Sequence, residues 1–82
     1  MRIKCWPDYF ISMYDGSKTF EYRLNDRDYN TGDRILLKGY DQNYQEYTDD
    51  EPLKFTITYV LRSFHGLKDG WCVLGLKTGW EG

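Results

Sequence analysis

Residues 53–62, Leu-Lys-Phe-Thr-Ile-Thr-Tyr-Val-Leu-Arg, alternate large apolar and polar side chains almost without a break. A period of two with β-branched and aromatic residues is the mark of a strand with one face buried, and here Leu53, Phe55, Ile57, Tyr59 and Leu61 are expected inward. The same alternation recurs in shorter form on either side. Residues 1–6 set Met1, Ile3 and Cys5 against Arg2 and Lys4, and residues 19–24 set Phe20, Tyr22 and Leu24 against Thr19, Glu21 and Arg23. Residues 33–40 run through Ile35, Leu36 and Leu37, and residues 71–77 close the series. One segment breaks the pattern. Pro7 suits a first helical position, Asp8 lies in the first turn and Gly16 supplies a left-handed stop, so residues 7–15 read as a short helix with Phe10, Met13 and Tyr14 as its buried stripe. The order β, α, β, β, β, β holds too few helices for a parallel α/β sheet. The expected fold is therefore α+β and β-rich: a small, strongly curved or closed, mainly antiparallel sheet of about five strands with one short helix after the first.

The connections carry turn chemistry: residues 25–32, the acidic stretch 41–52 that lacks aliphatics and reads as an exposed loop, and residues 63–70 around Gly66 and Gly70. Residues 1–77 are expected to form a single domain and residues 78–82 a frayed tail. At 82 residues there is room for one core only, and eight Tyr, four Phe and three Trp are its large units of buried area.

Composition excludes several classes of function. Cys5 and Cys72 are too few for a secreted disulfide scaffold, and the opening MRIKCWPDYF has no apolar leader, which points to a reducing, cytoplasmic setting. Neither cysteine has a partner at metal-ligand spacing, so both read as buried small apolar residues. No stretch is long enough to cross a bilayer. The net charge of −2 argues against bulk binding of long duplexes, although residues 1–40 carry seven Lys or Arg against six acids and residues 41–82 four against seven, so a basic site is expected in the first half.

The densest group of chemistry-bearing residues is Gly16-Ser17-Lys18-Thr19-Phe20-Glu21-Tyr22-Arg23. It leaves a helix stop and enters a strand, with Glu21 and Arg23 on one face and Lys18 at the strand mouth. An Arg fork suits a phosphate or a base edge, and a Glu accepts from an exocyclic amine. The plainer alternative is a surface ion pair of Glu21 and Arg23, which is common and weak.

Gly16, Lys18, Glu21 and Arg23 resemble the G-x-K-x-x-E-x-R signature of the ASCH family, a branch of the PUA-like superfamily. The signature there follows the first helix and enters a strand, as here, and Thr31-Gly32-Asp33 is similar to the family's turn into the next strand. The run from Lys18 to Arg27 looks closest to a compact subfamily carried by bacteria and their phages. The resemblance implies a PUA-like β-barrel whose cleft between barrel and helix takes RNA or a nucleotide, with Lys18, Glu21, Arg23 and, peripherally, Arg27 as ligand-binding groups and no cofactor. Some small members resemble amidohydrolases that remove an acyl group from a modified cytidine with a Lys, a Thr within the strand and a distant Glu. This chain has the Lys18 of that arrangement but Glu21 where the hydroxyl nucleophile stands. Thr19, on the same face, is the alternative hydroxyl, so an enzyme would draw on Lys18, Glu21 and Thr19. Binding is ranked ahead of hydrolysis for that reason. A third reading is a small phage-type interaction module that presents its acidic 41–51 loop to a protein partner.

Other patterns carry less. Residues 26–37 fail as a calcium loop because the glycine comes one place late, at Gly32, and Leu37 stands where the bidentate Glu is required. His65 is the single histidine and reads as a loop residue. Tyr29, Tyr40, Tyr44 and Tyr47 cluster around the exposed loops, where they could stack bases or contact a protein; cover for the core edge is the preferred reading.

Overall fold

The computed structural model describes residues 2–80; the expected inward position of Met1 and the last two residues of the expected tail lie outside them. The elements are β1 (Arg2–Cys5), α1 (Pro7–Tyr14), β2 (Phe20–Leu24), β3 (Arg34–Asp41), β4 (Glu46–Tyr47), β5 (Leu53–Leu61) and β6 (Trp71–Thr78). The main strands follow one path, β1-β3-β5-β6-β2, with β4 paired to β3 alone. All pairings are antiparallel except β1 with β3. The sheet curls into a half-barrel, so the fold is α+β and strand-rich with one short helix. No described helix is long and apolar enough to cross a membrane.

The inner face holds one core. Ile3 and Cys5 of β1, Ile35 and Leu37 of β3, Phe55 and Ile57 of β5, and Cys72, Leu74 and Leu76 of β6 are buried at every second position, and Phe10 and Met13 of α1 join them. Both cysteines are free and buried. Helix α1 starts without a side-chain cap but with Pro7 in its first turn, and Asp15 closes it through an N–H bond to the Ile11 carbonyl. It carries the chain from β1 at one end of the sheet to β2 at the other.

Four expectations are corrected by tertiary structure. Tyr14 is 75% exposed and lies outside the stripe of Phe10 and Met13, since it is the last residue of the helix and ends beyond the buried contact. In β5 the alternation holds through Ile57 and then reverses. The register steps from Ile57 opposite Leu76 to Tyr59 opposite Gly75, so Thr58 is an extra residue, a bulge that turns Tyr59 outward and lets Val60 pack on the core instead. The 41–52 stretch is not all loop: β3 continues to Asp41 and a hairpin returns through β4, with Tyr40 opposite Tyr47. The fourth correction matters most. Phe20, Tyr22 and Leu24 face outward, each about half exposed, whereas Glu21 is buried. Residues directly opposite in antiparallel strands share a face, and the register sets Glu21 against buried Leu74 and Arg23 against buried Cys72. The polar side of β2 therefore points into the barrel.

Of the stretch expected to fray, Thr78 still belongs to β6, the Gly79 N–H bonds the Lys54 carbonyl and the Trp80 indole N–H donates to the Ile35 carbonyl at 3.1 Å.

Candidate functional site

Strands β1 and β2 end the sheet path and are not paired to each other, which leaves a seam in the half-barrel. Guanidinium groups bridge it. Arg23 Nη1 donates to the Lys4 carbonyl at 3.1 Å and Arg27 Nη1 to the Arg2 carbonyl at 2.8 Å. These carbonyls lie two residues apart and so point the same way, toward the edge of β1 that β3 does not use. The arginines thus satisfy strand-edge acceptors that a closing strand would otherwise meet.

Beside the seam lies a cleft of about 640 Å³. Its lining comes from the end of β1 with Lys4 and Cys5, from Trp6 and Tyr9 at the start of the helix, from residues 21–24 of β2, from Trp71, and from the β3–β4 hairpin with Tyr40, Gln42 and Gln45. Aromatic rings dominate the walls. Trp6 and Tyr9 stack with centroids 6.2 Å apart, and Tyr22 and Trp71 stack at 4.8 Å. The backbone adds polar groups. Thr19 and Asn25 bond across to β6, which assigns the odd positions of β2 to that pairing and turns the N–H and C=O of Tyr22 toward the open edge.

Glu21 is the polar residue of the cleft floor, 8% exposed. Lys18 Nζ stands 3.7 Å from its Oε1, while Oε2 is buried and has no hydrogen-bond partner. Burial pushes the Glu21 carboxyl above the usual range, and the positive charges of Lys18 and Arg23 pull it back only in part. The neighbouring Cys5 thiol is pushed up to about 11, mainly by burial and next by the Glu21 charge, against the opposing pull of Lys18 and Arg23. That thiol is held protonated and is a poor nucleophile at neutral pH. Arg23 Nε is likewise buried without a partner. Tyr29 is fully buried, its Oη against the Arg23 guanidinium without a hydrogen bond of normal geometry, and burial raises its phenol.

The residues singled out from sequence therefore part company. Glu21 and Arg23 come together in the cleft. Lys18 braces Glu21 from outside the lining, its ammonium 4.4 Å from the Tyr9 ring centre and 5.3 Å from that of Phe20. Arg27 sits on the β1 edge, and exposed Thr19 stands outside the lining, its carbonyl accepting from the Leu76 N–H. His65 is exposed on the β5–β6 loop. Among the described residues no group of three or more His, Cys, Asp or Glu could hold a metal ion.

Sequence reasoning missed the aromatic walls and Tyr29. Trp6 stands at the N-cap position before Pro7 and lines the cleft, a role that its place in the sequence does not mark. The Tyr22–Trp71 pair follows from strand register, which no local pattern reports. Tyr29, expected as edge cover, is a core residue at a turn where Asp28 takes φ +50°.

A family model described as a domain of unknown function, DUF3850, matches residues 1–76. No curated protein matches the chain.

Proposed function

For this chain, which belongs to the DUF3850 family, we propose that the seam cleft is an RNA- or nucleotide-binding site that works in the cytoplasm, and that its resemblance to ASCH domains reflects kinship. The observation that carries this reading is Glu21: a nine-tenths buried carboxylate whose second oxygen has no partner, on the floor of a cleft walled by Trp6, Tyr9, Tyr22 and Trp71. An unpartnered buried acceptor costs stability, and a ligand N–H that reaches it recovers the loss. Nucleobases pair flat aromatic faces with edge N–H groups, which matches rings around a carboxylate. The Tyr22 N–H and C=O extend the same edge, and Lys4 at the rim suits a phosphate. The protonated Cys5 thiol and the position of Thr19 outside the lining favour binding over acyl transfer.

The test is an NMR titration of labelled protein with nucleosides, nucleotides and short RNAs. Shifts are expected at Lys4 to Trp6, Glu21 to Leu24 and Trp71. Glu21→Gln and Arg23→Lys should each weaken binding about tenfold or more, since hydrogen bonds to charged groups contribute ~1.5–3 kcal/mol. Shifts confined to residues 41–51 would favour a protein-docking module. Release of cytidine from acylated cytidine, abolished by Lys18→Ala and Glu21→Gln, would make the site a hydrolase.

A further inference from the structure

The outer face of the sheet is as one-sided in charge as the inner face is in polarity. Residues opposite each other in register point the same way, so the rows Lys4–Lys38, Arg2–Leu36–Lys54 and Arg34–Thr56–Lys77 lie on one surface. That surface holds six of the chain's 11 Lys and Arg. None of the outward positions of β1, β3, β5, β6 or β2 is an Asp or Glu. Among the described residues the acids lie in turns, on α1, in β4, at the last position of β3 or, as Glu21, inside. Aromatic rings are set among the cations: Lys4 lies 4.3 Å from the Tyr40 centre, Lys38 4.5 Å from Tyr47, and Lys54 5.0 Å from Trp80.

Solvated strand faces often carry lysines, but they ordinarily carry both signs. A chain of net charge −2 that gathers its cations on one face, with acids excluded and rings interleaved, has built a local field opposite to its overall charge. Such a face attracts a polyanion. The rings add stacking, which suits exposed bases and offers nothing particular to a lipid headgroup. The face also runs into the cleft, because Lys4 and Tyr40 belong to both.

We infer that the outer face of β1, β3 and β5 is a contact surface for the phosphate backbone of single-stranded nucleic acid, leading the strand past Lys4 to place one base in the seam cleft. Arg2, Lys4, Lys38 and Lys54 make the phosphate contacts, and Tyr47 and Trp80 offer stacking surfaces. The ligand of the site is then a polymer, not a free nucleotide. The inference rests on the cleft reading for the fate of the base, and on the charge distribution and the rings set among the cations for the face.

Fluorescence anisotropy with a labelled single-stranded RNA of about 12 nucleotides, within the ~4–16 nucleotide range of comparable sites, tests it against salt. Four phosphate contacts at a single-strand slope of about −0.7 each predict roughly a 50-fold loss of affinity between about 50 and 200 mM salt, and Lys38→Gln/Lys54→Gln should reduce that to about 7-fold. Lys54→Gln alone, at an exposed position, should lower the slope by about 0.7. Thermal unfolding of both variants checks that they fold. Mononucleotide binding should stay within about twofold of the parent in both. A salt slope unchanged by the variants overturns the face while leaving the cleft reading intact if Glu21→Gln still weakens mononucleotide binding. A slope that falls as predicted, with Glu21→Gln without effect on any nucleotide, keeps the face and removes the cleft. Binding to anionic phospholipid vesicles and not to RNA makes the face a membrane contact and overturns the inference. No binding to RNA at low salt does the same.

Discussion

The wall formed by β3, β5 and β6 and the seam between β1 and β2 are built from the same alternating pattern with opposite outcomes. In the wall the fully buried inward positions are all apolar and every strand edge is paired. At the seam the outward residues are Phe20, Tyr22 and Leu24, and the inward ones are Glu21 and Arg23. The wall gains its stability from apolar burial; at the seam, guanidinium donors cover the unused edge of β1, and a carboxylate is buried with one oxygen left over. A barrel closed with an ordinary strand would have no cleft there. Leaving it open leaves buried polar atoms of Glu21 and Arg23 without partners.

The largest test of this contrast uses one residue type in both regions. Phe55→Ala in the wall should cost about 3–5 kcal/mol in denaturant unfolding, as expected for deleting a fully packed ring. Phe20→Ala at the seam, where the ring is half exposed, should cost under about 1 kcal/mol. Equal losses would mean that β2 packs its apolar face after all.

A smaller effect depends on pH. The folded-state carboxyl of Glu21 titrates above its ordinary value of 4.5, so the folded protein holds that proton more tightly than the unfolded chain does. Stability contributed by the protonated group is present at low pH and is lost as pH rises from about 4.5 through the raised pKa. Glu21→Gln cannot show this loss. Relative to the parent the variant should gain stability as pH rises toward neutral, with the difference fading below about pH 4. Unfolding curves of both proteins across pH measure it, and a difference that grows toward acid would show that the ion pair with Lys18 outweighs burial.

The smallest effect is expected at Tyr29. Its hydroxyl is buried without a well-formed hydrogen bond, so Tyr29→Phe removes an unsatisfied group and should change stability by less than about 1 kcal/mol. A loss of about 2 kcal/mol or more would show that the Arg23 guanidinium depends on that hydroxyl.

The five main strands, the short helix and the β-rich core were legible in the order of residues, as was the shared face of Glu21 and Arg23, because period, turn chemistry and proline and glycine act within a few neighbours. Among the features that were not, three share one cause. The bulge at Thr58 inverts the end of β5 while leaving its alternation intact, since one extra residue shifts every later side chain to the other face. The direction of β2 was hidden because alternation tells two faces apart but not which is inward; only pairing with Cys72 and Leu74 of β6 decides that. Charge totals for each half of the chain pointed to the first half, yet the basic face joins Arg2, Lys4, Arg34 and Lys38 to Lys54 and Lys77, residues brought together by the parallel β1–β3 and antiparallel β3–β5 and β5–β6 pairings. Local preference is a property of neighbours along the chain and can be read there, whereas facing, closure and the gathering of like charges are set by contacts between strands far apart in sequence.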